Sequence, residues 1–153
     1  MKNLLIPTDY TLISLEEAAL AVRQLEGRFN IVLFHAFDMP GSLMEVMMRT
    51  NALRQQVLIT EPLRQRCKRI KQLNNQIGQI YFRPMYGSTV AAFRNYILAN
   101  EIDMIVLPAD YRFVPVLNES VNPLSLFAKA GVAVLEMAQQ TPSPSQNQEQ
   151  ERD

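Results

Sequence analysis

The chain has 153 residues, 48% of them hydrophobic, and its fifteen Lys and Arg side chains balance fifteen Asp and Glu side chains. This charge balance disfavours a nucleic-acid-binding protein, which usually carries a basic excess. The chain has one cysteine and one histidine, which excludes an intramolecular disulfide and a zinc site built on these residue types. No apolar run reaches the roughly 20 residues of a membrane span, and the N-terminus lacks the pattern of a signal peptide. We therefore expect a soluble cytoplasmic protein.

Five short apolar runs are typical of β-strands. Four are mostly continuous, as in strands that are covered on both faces of a parallel sheet, whereas the third run alternates more and is expected near an edge. In chain order, the runs are residues 3–7, 30–37, 79–83, 103–107 and 132–137.

Helical patterns lie between these runs. Ser14 and Glu17 have the spacing of a capping box at the start of a helix that Gly27 ends, and Ser88 is predicted to cap a second helix. Pro123 is expected at the first position of a third helix. The alternation of strands and helices predicts an α/β domain with a parallel sheet and right-handed crossovers.

This pattern covers residues 1–138, which we predict to be one domain. Residues 139–153 contain no hydrophobic side chain and are predicted to be a disordered polar tail. Pro62 divides the long connection between the second and third strands. The methionine-rich segment 39–59 before it is predicted to be a helix or a mobile flap, and the helix after it carries Cys67 on its apolar face, where the thiol is expected to be buried and inert.

Segments in the same order along the chain resemble the universal stress protein family. The resemblance implies a five-stranded parallel sheet of strand order 3-2-1-4-5 with helices on both faces, a Rossmann-like arrangement, and a homodimer paired through the last strand. The matching residues are Pro7, Asp9, Tyr10 and Thr11 after the first strand, Leu33 and His35 in the second, and Gly87, Asp103, Ile105 and Val106 in segment 85–107.

The loop after the fourth strand departs from the family. Nucleotide-binding members carry there a glycine, two residues, a second glycine, nine residues, and then a glycine with Ser or Thr. Pro108 and Tyr111 occupy the places of the first two glycines, and no glycine lies between Ser88 and Ala130. Because the glycines let backbone N–H groups approach phosphates, we expect no cofactor, and ATP or AMP binding by the usual mode is disfavoured.

A candidate crevice lies at the carboxyl ends of the first and fourth strands, where ligands bind in open α/β sheets. Asp9 is the leading candidate there, since the resemblance implies a position near adenine and ribose; the alternative is that Asp9 orders its own turn. Asp9 and Asp110 could together hold a divalent ion, but we assign no metal and no catalytic residue. The candidate ligand-binding residues are Thr8, Asp9, Tyr10, Pro108, Ala109, Asp110, Arg112 and Ser120.

Other features are open to more than one interpretation. His35 is expected to be packed or hydrogen-bonded rather than an acid or base, and the basic residues 64–71 are expected to form a solvated helix face rather than a phosphate, RNA or partner site. The edge strand is predicted to form the dimer through Val132, Val134 and Glu136. The methionines either fill a gap over the sheet or form a surface for a protein partner; they are Met39, Met44, Met47 and Met48.

These observations favour a non-enzymatic regulatory or partner-binding domain like those of universal stress proteins, with the stress role implied by the resemblance alone. One alternative is a sensor of an adenine nucleotide or another small ligand in the crevice. A second is a slow nucleotide hydrolase, for which the sequence offers no activated nucleophile or metal site.

Overall fold

A computed structural model describes residues 1–38 and 57–138 of the chain. Within them the elements are, in chain order, β1 (Lys2–Pro7), α1 (Leu12–Arg23), β2 (Phe29–Phe34), β3 (Ala36–Phe37), α2 (Glu61–Leu73), β4 (Ile77–Phe82), β5 (Met85–Tyr86), α3 (Val90–Ala99), β6 (Met104–Leu107), β7 (Ser120–Val121), α4 (Leu124–Lys129) and β8 (Val134–Glu136).

Five strands form one parallel sheet in the order β4-β2-β1-β6-β8. In terms of the five predicted strands this is the order 3-2-1-4-5, so the predicted α/β fold class and topology are confirmed. The third predicted strand, β4, lies at one edge as expected, and β8 lies at the other.

Both faces of this sheet are covered. On β1, Leu4 and Ile6 pack against α1 and α2, whereas Leu5 packs against α3 and α4 on the opposite face. Since successive side chains of a strand point to opposite faces, a strand that is buried on both sides needs a continuous apolar run. The apolar runs at residues 4–6 of β1 and 31–34 of β2 have this cause.

The helix starts differ from the predicted ones. The side chain of Thr11, not Ser14, caps α1 and accepts a hydrogen bond from the amide of Ser14. In the same way Thr89, not Ser88, caps α3. Serine and threonine offer the same capping oxygen, so sequence alone does not separate the neighbouring candidates. Pro123 is the N-cap of α4 rather than its first helical residue.

A second sheet of two-residue strands, in the order β5-β3-β7, lies beyond the carboxyl ends of β2 and β4. The apolar run 30–37, predicted as a single strand, is divided at His35 between β2 and β3. The antiparallel pairing of β3 with β7 brings Ser120 to the same edge of the main sheet as His35.

Two predictions lie outside the described residues: the polar tail 139–153 and most of the methionine-rich segment 39–59, with its four named methionines. Cys67 is buried in α2 as expected, and burial raises the pKa of its thiol. Across residues 1–38 and 57–138, no helix has the length and apolar character needed to cross a membrane.

Candidate functional site

A cavity of about 210 Å³ lies at the carboxyl ends of β1 and β6, in the predicted crevice. The predicted residues Thr8, Asp9, Pro108, Asp110 and Arg112 all line it. The remaining wall comes from side chains that the sequence analysis did not assign to the crevice, namely Pro7, Ser14, Glu17, His35, Tyr111, Phe113 and Val114.

The other predicted residues lie beside the cavity rather than in its wall. Tyr10 is only 7% exposed and its ring stacks on Phe82 at 5.8 Å, because a left-handed backbone (φ 65°) turns the side chain into the core. Ala109 faces a neighbouring surface groove along α1. Ser120 lies behind the cavity and contacts His35.

Asp9 is held by the turn that starts α1. Its Oδ1 accepts hydrogen bonds from the Thr11 amide at 3.1 Å and from the Thr11 hydroxyl at 2.5 Å. Burial by itself would raise the pKa of the Asp9 carboxyl, but hydrogen bonds from Thr11 and Ser14 lower the pKa below its ordinary value. Asp9 is therefore ionised and orders its own turn, while it also faces the cavity.

His35 is fixed on both sides of its ring. Nδ1 lies 2.8 Å from the carbonyl oxygen of Thr8, and Nε2 lies 2.8 Å from the hydroxyl oxygen of Ser120. A carbonyl only accepts, so Nδ1 carries the proton and Nε2 accepts from the Ser120 hydroxyl. Burial lowers the pKa of His35, against smaller raising effects of the Thr8 bond and the Asp9 charge, which keeps the ring neutral.

The contact between Ser120 and His35 was missed by sequence reasoning, which found no hydroxyl partner for the histidine. The two residues are 85 positions apart. The one available signal was the resemblance, in which Ser120 is a candidate for the Ser or Thr that ends the family's glycine motif. Ser120 is a poor nucleophile here, because its oxygen already accepts from the amides of Val116 and Leu117 at 2.9 and 3.0 Å.

The loop from residue 108 to residue 119 forms one side of the cavity. It opens with a turn in which the Tyr111 amide donates to the Pro108 carbonyl at 3.1 Å, with Asp110 in the left-handed conformation at φ 57°. Phe113 lies with its ring centroid 6.1 Å from that of His35, and burial together with the Asp9 charge raises the pKa of Tyr111 to about 12. Bulky side chains thus occupy the loop in which the nucleotide-binding members have glycines.

The described residues offer little for a metal ion or a basic binding face. In residues 1–38 and 57–138, no three side chains of the His, Cys, Asp or Glu type converge as a metal site requires, so Asp9 and Asp110 gain no third ligand. On α2, Arg64 pairs with Glu61 and Arg66 pairs with Glu16, all of them solvent-exposed. These ion pairs are typical of a solvated helix face.

No model of a known protein family matches the sequence, and no curated protein does. Solved structures are similar across nearly the whole chain. The hypothetical protein PH0823 has a TM-score of 0.57 at 14% identity, covering 93% of this chain and 99% of its own. The hypothetical protein MJ0577 has a TM-score of 0.50 at 15% identity over 92% and 97%.

The universal stress protein UspA from Lactobacillus plantarum has a TM-score of 0.50 at 19% identity, covering 89% of this chain and 97% of its own. At such identities the likeness concerns the fold, and it agrees with the observed strand order and with the helices on both faces of the sheet. The chain therefore has the universal stress protein fold, as the residues at its strand ends imply.

Proposed function

We propose that this protein is a non-catalytic regulatory or partner-binding domain, cytoplasmic and homodimeric, that does not hold ATP in the manner of the glycine-loop universal stress proteins. The observation that carries the proposal is the loop 108–119, whose bulky side chains line the crevice where the glycine-loop members are expected to hold a nucleotide. The universal stress protein fold supports the regulatory part of the proposal by analogy only.

The size of the cavity argues against a nucleotide. Pockets for drug-sized ligands usually have volumes of roughly 300–1,000 Å³. The cavity here has about 210 Å³, below that range, and Tyr111 and Phe113 are among the bulky side chains that line it.

The charges argue in the same direction. Among the residues that the structure describes, three carboxylates line the cavity, those of Asp9, Glu17 and Asp110, against one guanidinium, that of Arg112. Phosphates are usually held by converging backbone N–H groups and cations, and a wall with an acidic excess repels them. Pro108 and Pro115 further reduce the number of amide donors in the loop.

The absence of catalysis is supported by the state of the hydroxyl nearest to the only histidine. Ser120 donates to His35 and accepts from two amides, which leaves its oxygen no free lone pair for attack on a substrate. His35 donates to a backbone carbonyl rather than to a carboxylate that would activate it as a base.

The dimer is proposed through β8. This strand pairs with β6 on one side and has no further strand beside it among the described residues. Val134 is 38% exposed and Glu136 is exposed, and an unprotected edge strand favours pairing with another chain. Val132 packs partly against the core beside the edge.

The Val134→Lys variant is expected to be monomeric in sedimentation, and Leu98→Lys on the exposed face of α3 serves as the matched control that keeps the dimer.

A second candidate function is a small-ligand sensor, and the observation in its favour is that a lined cavity remains beneath the loop. Asp9 and Arg112 offer an acceptor and a donor there. A ligand that fits without loop movement is much smaller than a nucleotide.

Native mass spectrometry of the purified protein with and without Mg-ATP tests both candidates. The proposal expects a bare dimer of 17.5 kDa chains that ignores ATP. An adduct of nucleotide mass at micromolar ATP would overturn it and would favour a nucleotide sensor whose loop moves aside. A double variant, Pro108→Gly with Tyr111→Gly, shows whether removal of bulk alone admits ATP; we expect only weak binding, because the acidic wall remains.

A further inference from the structure

Ser120 is one of the residues that fasten the end of the loop 108–119 to the sheet, beside Glu119, whose carbonyl accepts from the Asp38 amide at 2.8 Å. The Ser120 hydroxyl oxygen accepts from the amides of Val116 and Leu117, at 2.9 and 3.0 Å, and thereby closes the end of the loop on itself. Its own proton goes to Nε2 of His35 at 2.8 Å. A hydroxyl has one proton and two lone pairs, so Ser120 has no hydrogen-bonding capacity left.

This arrangement requires a neutral imidazole. Nδ1 carries the proton that the Thr8 carbonyl accepts, and Nε2 must have its lone pair free for the Ser120 hydroxyl. Protonation at Nε2 would put two donors face to face. Ser120 could then accept from the imidazolium only by giving up an amide of the loop, and the released amide would be left without its partner.

The surroundings of His35 have opposing effects on its protonation. The ring is 5% exposed and is enclosed by the aromatic rings of Phe37, Tyr10 and Phe113, with centroids 4.8, 5.8 and 6.1 Å away. Burial therefore disfavours the imidazolium. The ionised Asp9 in the turn after β1 favours it. The titratable groups that face the site from the packed elements are Asp9 and Tyr10 after β1, Glu17 on α1, and Asp110, Tyr111 and Arg112 in the loop.

We propose that the His35–Ser120 pair is an acid-sensitive latch, which holds the loop 108–119 over the crevice while His35 is neutral and releases it when His35 is protonated. The latch regulates the same crevice, so it rests on the proposed function in one respect, namely that this loop closes the crevice. It predicts that the crevice opens in acid and is closed at neutral pH.

The direction of the pH dependence follows from the pKa of His35, which burial lowers below its ordinary value of 6.5 in the folded protein. The unfolded chain binds the proton more readily than the folded protein does, so the contribution of the His35–Ser120 pair to stability is complete above pH 6.5. It is lost as the pH falls through the lower pKa of the folded state.

The chain offers a direct test because His35 is its only histidine, so one imidazole signal in an NMR titration reports on one residue. We expect the proton of the neutral ring on Nδ1 and a pKa of His35 below 6.5. Once His35 titrates, hydrogen exchange of residues 108–121 should become faster by roughly five- to tenfold after correction for intrinsic rates, because that is the effect of losing one hydrogen bond. A proton on Nε2, an ordinary pKa, or loop protection that is unchanged through the titration would overturn the latch.

Two variants and a control sharpen the test. Ser120→Ala should raise the pKa of His35 towards its ordinary value and abolish the pH dependence of loop exchange. His35→Asn should make loop exchange, after correction for intrinsic rates, independent of pH between roughly 5.5 and 7.5, about one unit on either side of the reference value. Ser125→Ala, at an exposed position of α4, should change neither quantity. The wild-type titration decides the matter even if a variant fails to fold. ATP binding at pH 7.5 is measured separately, so the proposed function can fail while the latch stands, and the reverse.

Discussion

The two loops at the carboxyl edge of the sheet, residues 8–11 after β1 and residues 108–119 after β6, line the same crevice but are held in different ways. The first is short and satisfied locally, since Asp9 binds Thr11 and Thr11 caps α1. The second is long, and Ser120 at its end contacts His35, which lies between β2 and β3. A turn that is held by neighbouring residues can be predicted from the sequence, whereas the conformation of a loop that depends on a contact with a distant residue cannot.

Four substitutions test this comparison, and the largest expected effect belongs to the short loop. Tyr10→Ala removes a ring that is buried against Phe82 and His35. We expect it to lower the free energy of unfolding by about 3–4 kcal/mol, as for other buried aromatic residues. Urea denaturation measures the effect, and Tyr81→Ala at the partly exposed edge strand β4 should cost clearly less. Equal losses would show that Tyr10 is not anchored in the core.

Ser120→Ala tests the long loop. It leaves two loop amides and Nε2 of His35 without their partner, so we expect a loss of about 1–3 kcal/mol. Hydrogen exchange should place the effect in residues 108–121 and leave residues 8–11 protected. If exchange increased equally in both loops, the two would form one cooperative unit and the comparison would fail.

Thr11→Ala tests the local cap. The loss of the capping oxygen should cost about 1 kcal/mol at neutral pH, and Thr11→Ser should restore most of it. The pKa of Asp9 should rise, because a hydrogen bond that lowers it is removed. A carboxyl with a lowered pKa stabilises the fold above its unfolded value and loses that contribution in acid, so part of the difference between variant and wild type should vanish as the pH falls below 3.8. A difference that is constant from pH 7 to pH 3 would contradict the role given to Asp9.

Asp110→Gly has the smallest expected effect, and it is favourable. Asp110 has φ 57° and is exposed, and glycine adopts this conformation without the strain of a Cβ atom. We expect a gain of up to about 1 kcal/mol, measured as a higher Tm, while Asp110→Ala should give no gain. A lower Tm for the glycine variant would show that the Asp110 side chain makes a stabilising contact in the loop.

The sequence was informative wherever burial or local chemistry determines the structure. The continuous apolar runs predicted β1, β2 and β6, and the strand-end residues led to the observed strand order. Helix starts were wrong by one to three residues, since Thr11 and Thr89 compete with nearby serines of equal capping chemistry. The two-residue strands β3, β5 and β7 are too short to show a period.

The crevice was predictable in part for the same physical reasons. Its position follows from the strand order, and Thr8, Asp9 and Pro108 line one cavity at the carboxyl ends of β1 and β6. The inward turn of Tyr10 depends on a left-handed backbone, which an ordinary L-residue rarely adopts. The pairing of His35 with Ser120 depends on the antiparallel contact of β3 with β7, and no spacing in the sequence encodes that contact.

The central claim is that the loop 108–119 closes the crevice and leaves no place for ATP. The most direct test is hydrogen exchange of residues 108–121 at pH 7.5, with and without millimolar Mg-ATP. The account predicts a loop that is protected in the free protein and unchanged by the nucleotide. A loop that exchanges freely alone and becomes protected when ATP is added would contradict it.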